Sequence, residues 1–332
     1  MIVKDVMHNF ELFQPRQLKD AFALLDRYGK DSWKIAGGND SLTWFKDRAK
    51  RPKAVIDISG IAELKGIRET ADGIEIGALA TLAEIAKNPV IRGKYRVLAD
   101  AAVKVASPQI RNTGTIGGNA AQDSRCWYYR YGLPCYRAGG NTCYADTPEG
   151  VNREHAIFDT DRCVTVSPSD TAPALVALDA KFVVRSSKGE RVLNADQFFV
   201  NPKIDITNLT AIRPQEILVA IRIAKEWAGA RFYFEKVADR NSWDFPLVNV
   251  ASAIIVNNGV VEKARVVCGA VSATPKRLPA VEEAIKGKTV TADLAKIVGQ
   301  AATRGARPLN YNKFKVPLMA NLVMRAVRDA TA

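Results

Sequence analysis

A chain of 332 residues is long enough for two or three domains with a substantial core, and 47% hydrophobic with 25% charged residues is an ordinary globular composition. No apolar run reaches the roughly 18 residues a membrane span needs. The net charge of +13 is scattered, with no run of five like charges, so a nucleic-acid stripe is unsupported.

The start, Met1 to His8, has an acid and no apolar segment, so it reads as no secretory signal. The expectation is a cytoplasmic chain, or a periplasmic one co-exported with a partner that carries the signal. Residues 16–28 place Leu18, Ala21, Phe22, Leu25 and Tyr28 on one face, after Pro15 and before Gly29, which predicts a helix. A short strand, Trp33 to Ala36, then runs into Gly37-Gly38-Asn39-Asp40-Ser41. Ala54 to Ile58 and Ile74 to Gly77 read as buried strands. Thr81-Leu82-Ala83-Glu84 is a capping box for a helix ending before Pro89, and a second helix covers about 91–105.

That helix delivers the chain to Asn112-Thr113-Gly114-Thr115-Ile116-Gly117-Gly118-Asn119, with three glycines in five positions. Glycine has no Cβ and accepts positive φ, so successive N–H groups can point into one concavity close to a phosphate. Neither glycine stretch reads GxGxxG or GxxxxGK[ST], so the Rossmann and P-loop readings fail on spacing. Two such loops about 75 residues apart predict two walls of one cofactor cleft; the alternative is a pair of surface turns.

Residues 120–166 break the pattern and hold four of the five cysteines. A stretch this long without periodicity is usually functional. Cys126, Cys135, Cys143 and Cys163 leave gaps of eight, seven and nineteen residues, which suits zinc poorly. Disulfides need an oxidising compartment, which the missing signal argues against. An iron–sulfur cluster needs four thiolates, and Arg125, Arg130, Arg137, Arg153 and Arg162 would offset their charge. Spacing alone leaves a cluster, unligated cysteines, zinc and disulfides open, in that order. Cys268 lies in a strand pattern and reads as a small buried apolar residue. His8 and His155 are the only histidines, and His155 reads as packing beside the cysteines rather than as a ligand. With no HExxH and no GxSxG, the chain reads as a holder of redox groups, not a hydrolase.

Ser167-Pro168-Ser169-Asp170 leads into an apolar helix, Thr171 to Leu178. Phe182 to Val184 and Arg191 to Leu193 flank Ser186-Ser187-Lys188-Gly189 as a hairpin. From about 216 long strands follow: Ile217 to Ile223, Phe232 to Val237, Val248 to Val256 and, after Asn257-Asn258-Gly259, Val260 to Val267. Helices are predicted at 278–286, 291–303 and 317–328. The order is α+β.

Ala36-Gly37-Gly38-Asn39-Asp40-Ser41, Ile110-Arg111-Asn112-Thr113-Gly114-Thr115-Ile116-Gly117-Gly118-Asn119 and Ser167-Pro168-Ser169-Asp170, in this order, resemble the flavoprotein subunit of the molybdenum hydroxylases, the xanthine dehydrogenase and carbon monoxide dehydrogenase family. Cys268-Gly269-Ala270-Val271-Ser272-Ala273-Thr274-Pro275-Lys276-Arg277 resembles the family's closing domain. The resemblance implies FAD in a vanillyl-alcohol-oxidase (PCMH-like) fold. Residues 1–215 would form two α/β subdomains, about 1–58 and 59–215, with the cysteine insertion at 120–166. Residues 216–332 would form a C-terminal α+β domain.

Carried over by motif, Lys34, Ile35, Ala36, Gly37, Gly38, Asn39, Asp40 and Ser41 would line the FAD pyrophosphate with backbone amides. Ala106, Thr113, Thr115, Gly118 and Asn119 would form the second wall, and Asp170 would take a ribityl or ribose hydroxyl. Leu218 would pack on the cofactor. Lys236, in Phe234-Glu235-Lys236-Val237, would lie near the pyrimidine edge, where a cation favours negative charge on reduced flavin. The insertion resembles two branches with a [4Fe–4S] cluster beside the flavin, the periplasmic aldehyde oxidoreductases and the 4-hydroxybenzoyl-CoA reductases. That makes Cys126, Cys135, Cys143 and Cys163 the expected iron ligands.

The partners implied are a molybdopterin-binding large subunit and a [2Fe–2S] small subunit, in a dimer of heterotrimers, with no nucleic acid. The substrate on the molybdenum subunit would be an aldehyde, an aromatic heterocycle or purine, or an aromatic acyl-CoA. The positive charge predicts a soluble acidic carrier such as ferredoxin, docking near Arg125, Arg130 and Arg137. The competing reading is a basic zinc-binding module acting on nucleic acid.

Overall fold

A computed structural model of the chain describes residues 7–330; residues 1–6, within the stretch read for a signal, and residues 331–332 lie outside the described part. The strands fall into three sheets. Glu11–Phe13 (β1), Ser32–Ile35 (β2) and Ala54–Asp57 (β3) form a parallel sheet in the order β1-β3-β2. Its central strand is an unbroken apolar run because both faces are covered: Ile56 packs with Leu18, Ala21 and Leu25 of the first helix, and Val55 packs with Trp44 and Phe45.

The second sheet is antiparallel. Ile67–Thr70 (β4), Gly73–Gly77 (β5), Lys181–Ser186 (β6), Gly189–Asn194 (β7) and Ile217–Ala224 (β8) lie in the order β4-β5-β8-β6-β7. The sequence places the start of the last domain at 216. β8 instead pairs with β5 and β6, because its alternate apolar side chains complete the core of that sheet. The third sheet therefore starts later, with Arg231–Val237 (β9), followed by Val248–Asn257 (β10), Val260–Gly269 (β11) and Lys276–Arg277 (β12).

β10 is buried on both faces. Val250 and Ile254 join the C-terminal helices, whereas Ala251 and Ala253 join the core of the second sheet, where small side chains admit the helix Thr171–Ala177. The last helix, Lys315–Asp329, turns Met319, Leu322, Val323, Ala326 and Val327 to the core at helical spacing.

Two details differ from the sequence reading. The helix expected over 91–105 is two helices, Pro89–Lys94 and Arg96–Val103, because Tyr95 leaves helical geometry at φ −139°. The glycine stretch after it is not an open loop. Pro108–Thr113 and Ile116–Ala120 are short helices joined by Gly114 and Thr115.

The insertion has little regular structure beyond the turn Trp127–Arg130, yet it is anchored at both ends. Tyr129 and Cys135 pack with Trp44 and Phe45 on the first sheet. Ile157 and Phe158 are buried in the C-terminal core, and both their amides donate to the Val271 carbonyl, at 2.9 and 3.0 Å. Asn312 Nδ2 donates to the carbonyls of His155 and Ala156, at 3.0 and 3.1 Å. The insertion thus joins the first sheet to the third.

Candidate functional site: two glycine walls and a cysteine cavity

The first wall leaves β2 through a turn in which Gly38 takes φ +75°, a conformation that L side chains rarely adopt. Gly37 is needed for a different reason. A Cβ there would lie 2.0 Å from the Thr113 carbonyl oxygen, so the two walls touch at this point. Asn39 Nδ2 reinforces the contact by donating to Thr113 Oγ1 at 3.0 Å. Among the described residues, the amides of Gly37, Gly38, Asn39, Asp40 and Ser41 donate to no protein acceptor. Five successive free N–H groups at a glycine turn form an anion-binding row.

The second wall is built the other way, with its amides already used. Ile116 N donates to Ala80 O and Gly117 N to Ala78 O, each at 2.9 Å, and Gly118 N donates to Thr115 Oγ1 at 3.1 Å. A Cβ on Gly117 would collide with Ala78 at 2.8 Å, so this glycine seats the wall on the turn that follows β5. Gly118 is different: its missing side chain would meet only Thr115 Oγ1, at 3.0 Å, and otherwise faces open space. That opening is a cradle a side chain would fill. A free amide row beside a shape-only wall fits a cofactor with a pyrophosphate.

The remaining expected flavin residues are mostly engaged with one another. Asn119 Oδ1 accepts from Ser169 Oγ at 2.7 Å and from Thr171 Oγ1 at 2.6 Å, which ties the second wall to the Ser-Pro-Ser-Asp segment. Asp170 is buried and accepts from Lys236 Nζ at 2.7 Å and Asn249 Nδ2 at 3.1 Å. Burial outweighs the lysine's charge and raises Asp170 to about 6. Lys236 also donates to the carbonyls of Lys104 and Asp244, at 3.0 and 2.7 Å. Ala106 has φ +39°, and its carbonyl accepts from the Trp243 amide at 2.9 Å, so the loop around Trp243 lies over it. Leu218 is buried in the second core. Lys34 sends its ammonium to the Pro214 carbonyl at 3.0 Å, and burial lowers it to about 8. Ser41 Oγ accepts from Trp33 Nε1 at 2.9 Å.

The side chain of Asp40 points to the insertion. It accepts from Arg125 Nη1 at 2.8 Å, Arg130 Nη2 at 2.6 Å and Trp44 Nε1 at 3.1 Å. Sequence reasoning missed this contact, for nothing local to Asp40 signals an arginine ninety positions on. It also misplaced the docking patch. Arg130 and Arg137 are buried and ion-paired with Asp40 and Asp123, so neither offers its charge to a carrier.

All four insertion cysteines line one cavity, together with Arg137 and Arg162. None is in a disulfide. Burial pushes the Cys126 thiol up to about 12, and Cys143 and Cys163 are raised by the same cause. Against that, backbone amides point at the sulfurs: Tyr129 and Tyr128 at Cys126, Val164 at Cys143 and Thr165 at Cys163. N–H groups aimed at sulfur favour thiolate and suit metal-bound cysteine. Among the described residues, no three His, Cys, Asp or Glu are grouped to hold a single metal ion. A cluster asks for one thiolate per iron, and four thiols line this one cavity. His155 Nε2 lies 3.3 Å from Cys126 Sγ, with the ring buried and neutral, as expected of a packing partner. Cys268 sits apart in β11, fully buried in the C-terminal core.

Comparison with known proteins follows the same division. The FAD binding domain in molybdopterin dehydrogenase matches residues 8–225, and the CO dehydrogenase flavoprotein C-terminal domain matches residues 233–330. The aldehyde oxidoreductase FAD-binding subunit PaoB of Escherichia coli (strain K12) is 32% identical over 302 residues, covering 90% of this chain and 91% of its own. The carbon monoxide dehydrogenase medium chain of Hydrogenophaga pseudoflava is 27% identical, covering 97% of each. A solved structure of carbon monoxide dehydrogenase from Hydrogenophaga pseudoflava lacking the Mo-pyranopterin moiety superposes with a TM-score of 0.78 at 26% identity, over 98% of this chain and all of its counterpart. Glycine walls, fold and relatives agree: this chain belongs to the FAD-binding medium subunits of the molybdenum hydroxylase family, the oxidoreductases of xanthine dehydrogenase type.

Proposed function

We propose that this chain is the electron-transfer subunit of a molybdopterin-dependent dehydrogenase and that it holds a [4Fe–4S] cluster besides FAD. The observation that carries the cluster is the meeting of Cys126, Cys135, Cys143 and Cys163 at one cavity, with peptide amides aimed at the sulfurs. FAD and the cluster supply the capacity to take up and release electrons; the chain supplies their placement. In this reading the free amides of residues 37–41 hold the pyrophosphate and Gly118 leaves room for it. Asp170 and Lys236, buried as a pair, present a hydroxyl acceptor and a cation to the flavin side of the cleft.

Substrate chemistry belongs to a molybdopterin-binding large subunit, and a [2Fe–2S] small subunit connects it to the flavin. The names of relatives with aldehyde oxidoreductase, nicotinate dehydrogenase and caffeine dehydrogenase activities support an aldehyde or an aromatic heterocycle as substrate. A soluble one-electron carrier such as ferredoxin exchanges with the cluster, steered by the net charge of +13 as a whole rather than by the buried arginines.

Anaerobic purification of the chain with its partner subunits tests this directly. Flavin and iron should co-purify, and iron alone should fall when any one of the four cysteines becomes Ser. Flavin with no iron beyond that of the small subunit in the native complex would overturn the cluster reading.

A further inference from the structure

A buried charged layer separates the first flavin wall from the cysteine cavity. Asp40 pairs with Arg125 and Arg130, and Asp123 pairs with Arg137, with Lys50 Nζ 3.8 Å from Asp123. The side chains of Arg130 and Arg137 are only 6% and 1% exposed. Four cations thus meet two carboxylates, with Lys50 and Arg125 partly open to solvent and Arg130 and Arg137 closed off from it.

The hydrogen bonds show the same deficit. Arg130 Nη1 and Arg137 Nε are buried with no acceptor. Aromatic faces take part of the load: Arg130 Cζ lies 3.7 Å from the Trp44 ring centre and Arg137 Cζ 5.3 Å from that of Tyr129. Such contacts do not neutralise a charge. A guanidinium keeps its proton in any protein, so two buried guanidiniums with unmet N–H groups favour a further anion beside them. Four thiols line the cavity that Arg137 also lines.

We propose that Arg137, with Arg130 behind it, is the counter-charge of the cluster held by those thiolates and sets its reduction potential, a positioning role that Asp40 links to the flavin wall. The inference rests on the cluster reading above. A cluster held by four thiolates is net negative, and one-electron reduction adds one further negative charge. A fixed cation out of water favours the reduced state and raises the potential, because buried charges are weakly screened. Arg137 lines the cavity and should act more strongly than Arg130, which does not. Arg162 lines it too, but its side chain is exposed, so solvent should damp its effect.

The test is a dithionite titration of the anaerobically purified complex, followed by electron paramagnetic resonance of the cluster. Arg137→Gln should shift the potential downward, Arg130→Gln downward by less, and Arg162→Gln least of the three. Arg137→Lys should return most of the shift. Asp123→Asn removes a negative charge and should shift the potential upward, opposite in sign to the arginine variants. If Arg137→Gln does not retain the cluster, the signs for Arg137→Lys and Asp123→Asn decide. An unchanged potential in Arg137→Gln, or a downward shift in Asp123→Asn, overturns the counter-charge while leaving the cluster reading intact. Native complex with no iron beyond that of the small subunit overturns both.

Discussion

The glycine walls and the cysteine insertion lie side by side and are built on opposite principles. At residues 36–41 and 113–119 the site is made by omission: missing side chains let two backbones meet and leave amides bare. Across residues 120–166 it is made by long side chains, with arginines crossing to carboxylates on other elements and cysteines converging from four separate turns. The first design depends on steric exclusion, which one added carbon defeats. The second depends on charge balance and ligand number, which one altered atom defeats. Their contact runs through Asp40, whose backbone belongs to the first glycine wall and whose carboxylate pairs with arginines of the insertion.

The largest effects should come from the thiolates. Replacing Cys126, Cys135, Cys143 or Cys163 by Ser should each remove most of the iron beyond that of the small subunit yet leave flavin in place, whereas Cys268→Ser should keep iron at the native level. Iron analysis with flavin absorbance reads both at once. Iron at full occupancy in any of the four variants would show that the cavity is not the binding site.

Next come the walls. Gly37→Val places carbon against the Thr113 carbonyl and forces the two backbones apart. Overpacking of this kind costs about 1–3 kcal/mol, hence a loss of flavin affinity of about tenfold or more. Gly118→Val should weaken flavin as well but strain the fold less, because its Cβ meets only the Thr115 hydroxyl, at 3.0 Å, and no backbone. Thermal unfolding of the two apoproteins separates the cases: Gly37→Val should be destabilised and Gly118→Val near native. Stoichiometric flavin in Gly118→Val would mean that the opening beside residue 118 is not the cradle. Asp40→Asn should be the exception to the division and lower both flavin and iron retention.

The smallest effect concerns the far anchor of the insertion. Lys315 Nζ donates to the carbonyls of Glu154 and Ala270, at 2.9 and 2.7 Å, and burial lowers it to about 7. In the unfolded chain the group returns to its ordinary value of 10.5. Between those two values the unfolded state holds the extra proton, so this lysine makes stability rise with pH. Denaturant unfolding across that window should show a positive slope for the native chain that Lys315→Met lacks. Equal slopes would place the lysine's titration outside the window.

Most of the helices and strands around the walls could be read from the sequence, because period and punctuation are local signals. The capping box at Thr81 formed as its spacing implies, with Thr81 Oγ1 accepting from the Glu84 amide at 3.1 Å. Gly38 was legible as a turn for the same reason. The purpose of Gly37 was not, since its neighbour is the Thr113 carbonyl 76 positions on. Arg130 and Arg137 were legible as charges and misleading as surface, because burial against Trp44, Asp40 and Asp123 is decided by packing across elements. β8 was visible as a strand, but its sheet was not, since either neighbouring sheet could have accepted an apolar run.

The central claim is that one chain carries a flavin and a four-iron cluster in adjoining sites of opposite design. Its most direct test is the flavin and metal content of the anaerobically purified native complex, read by absorption together with elemental analysis. About one FAD and about four irons per chain, beyond those of the small subunit, is the predicted result. Flavin with zinc in place of iron, or with no metal at all, would contradict it.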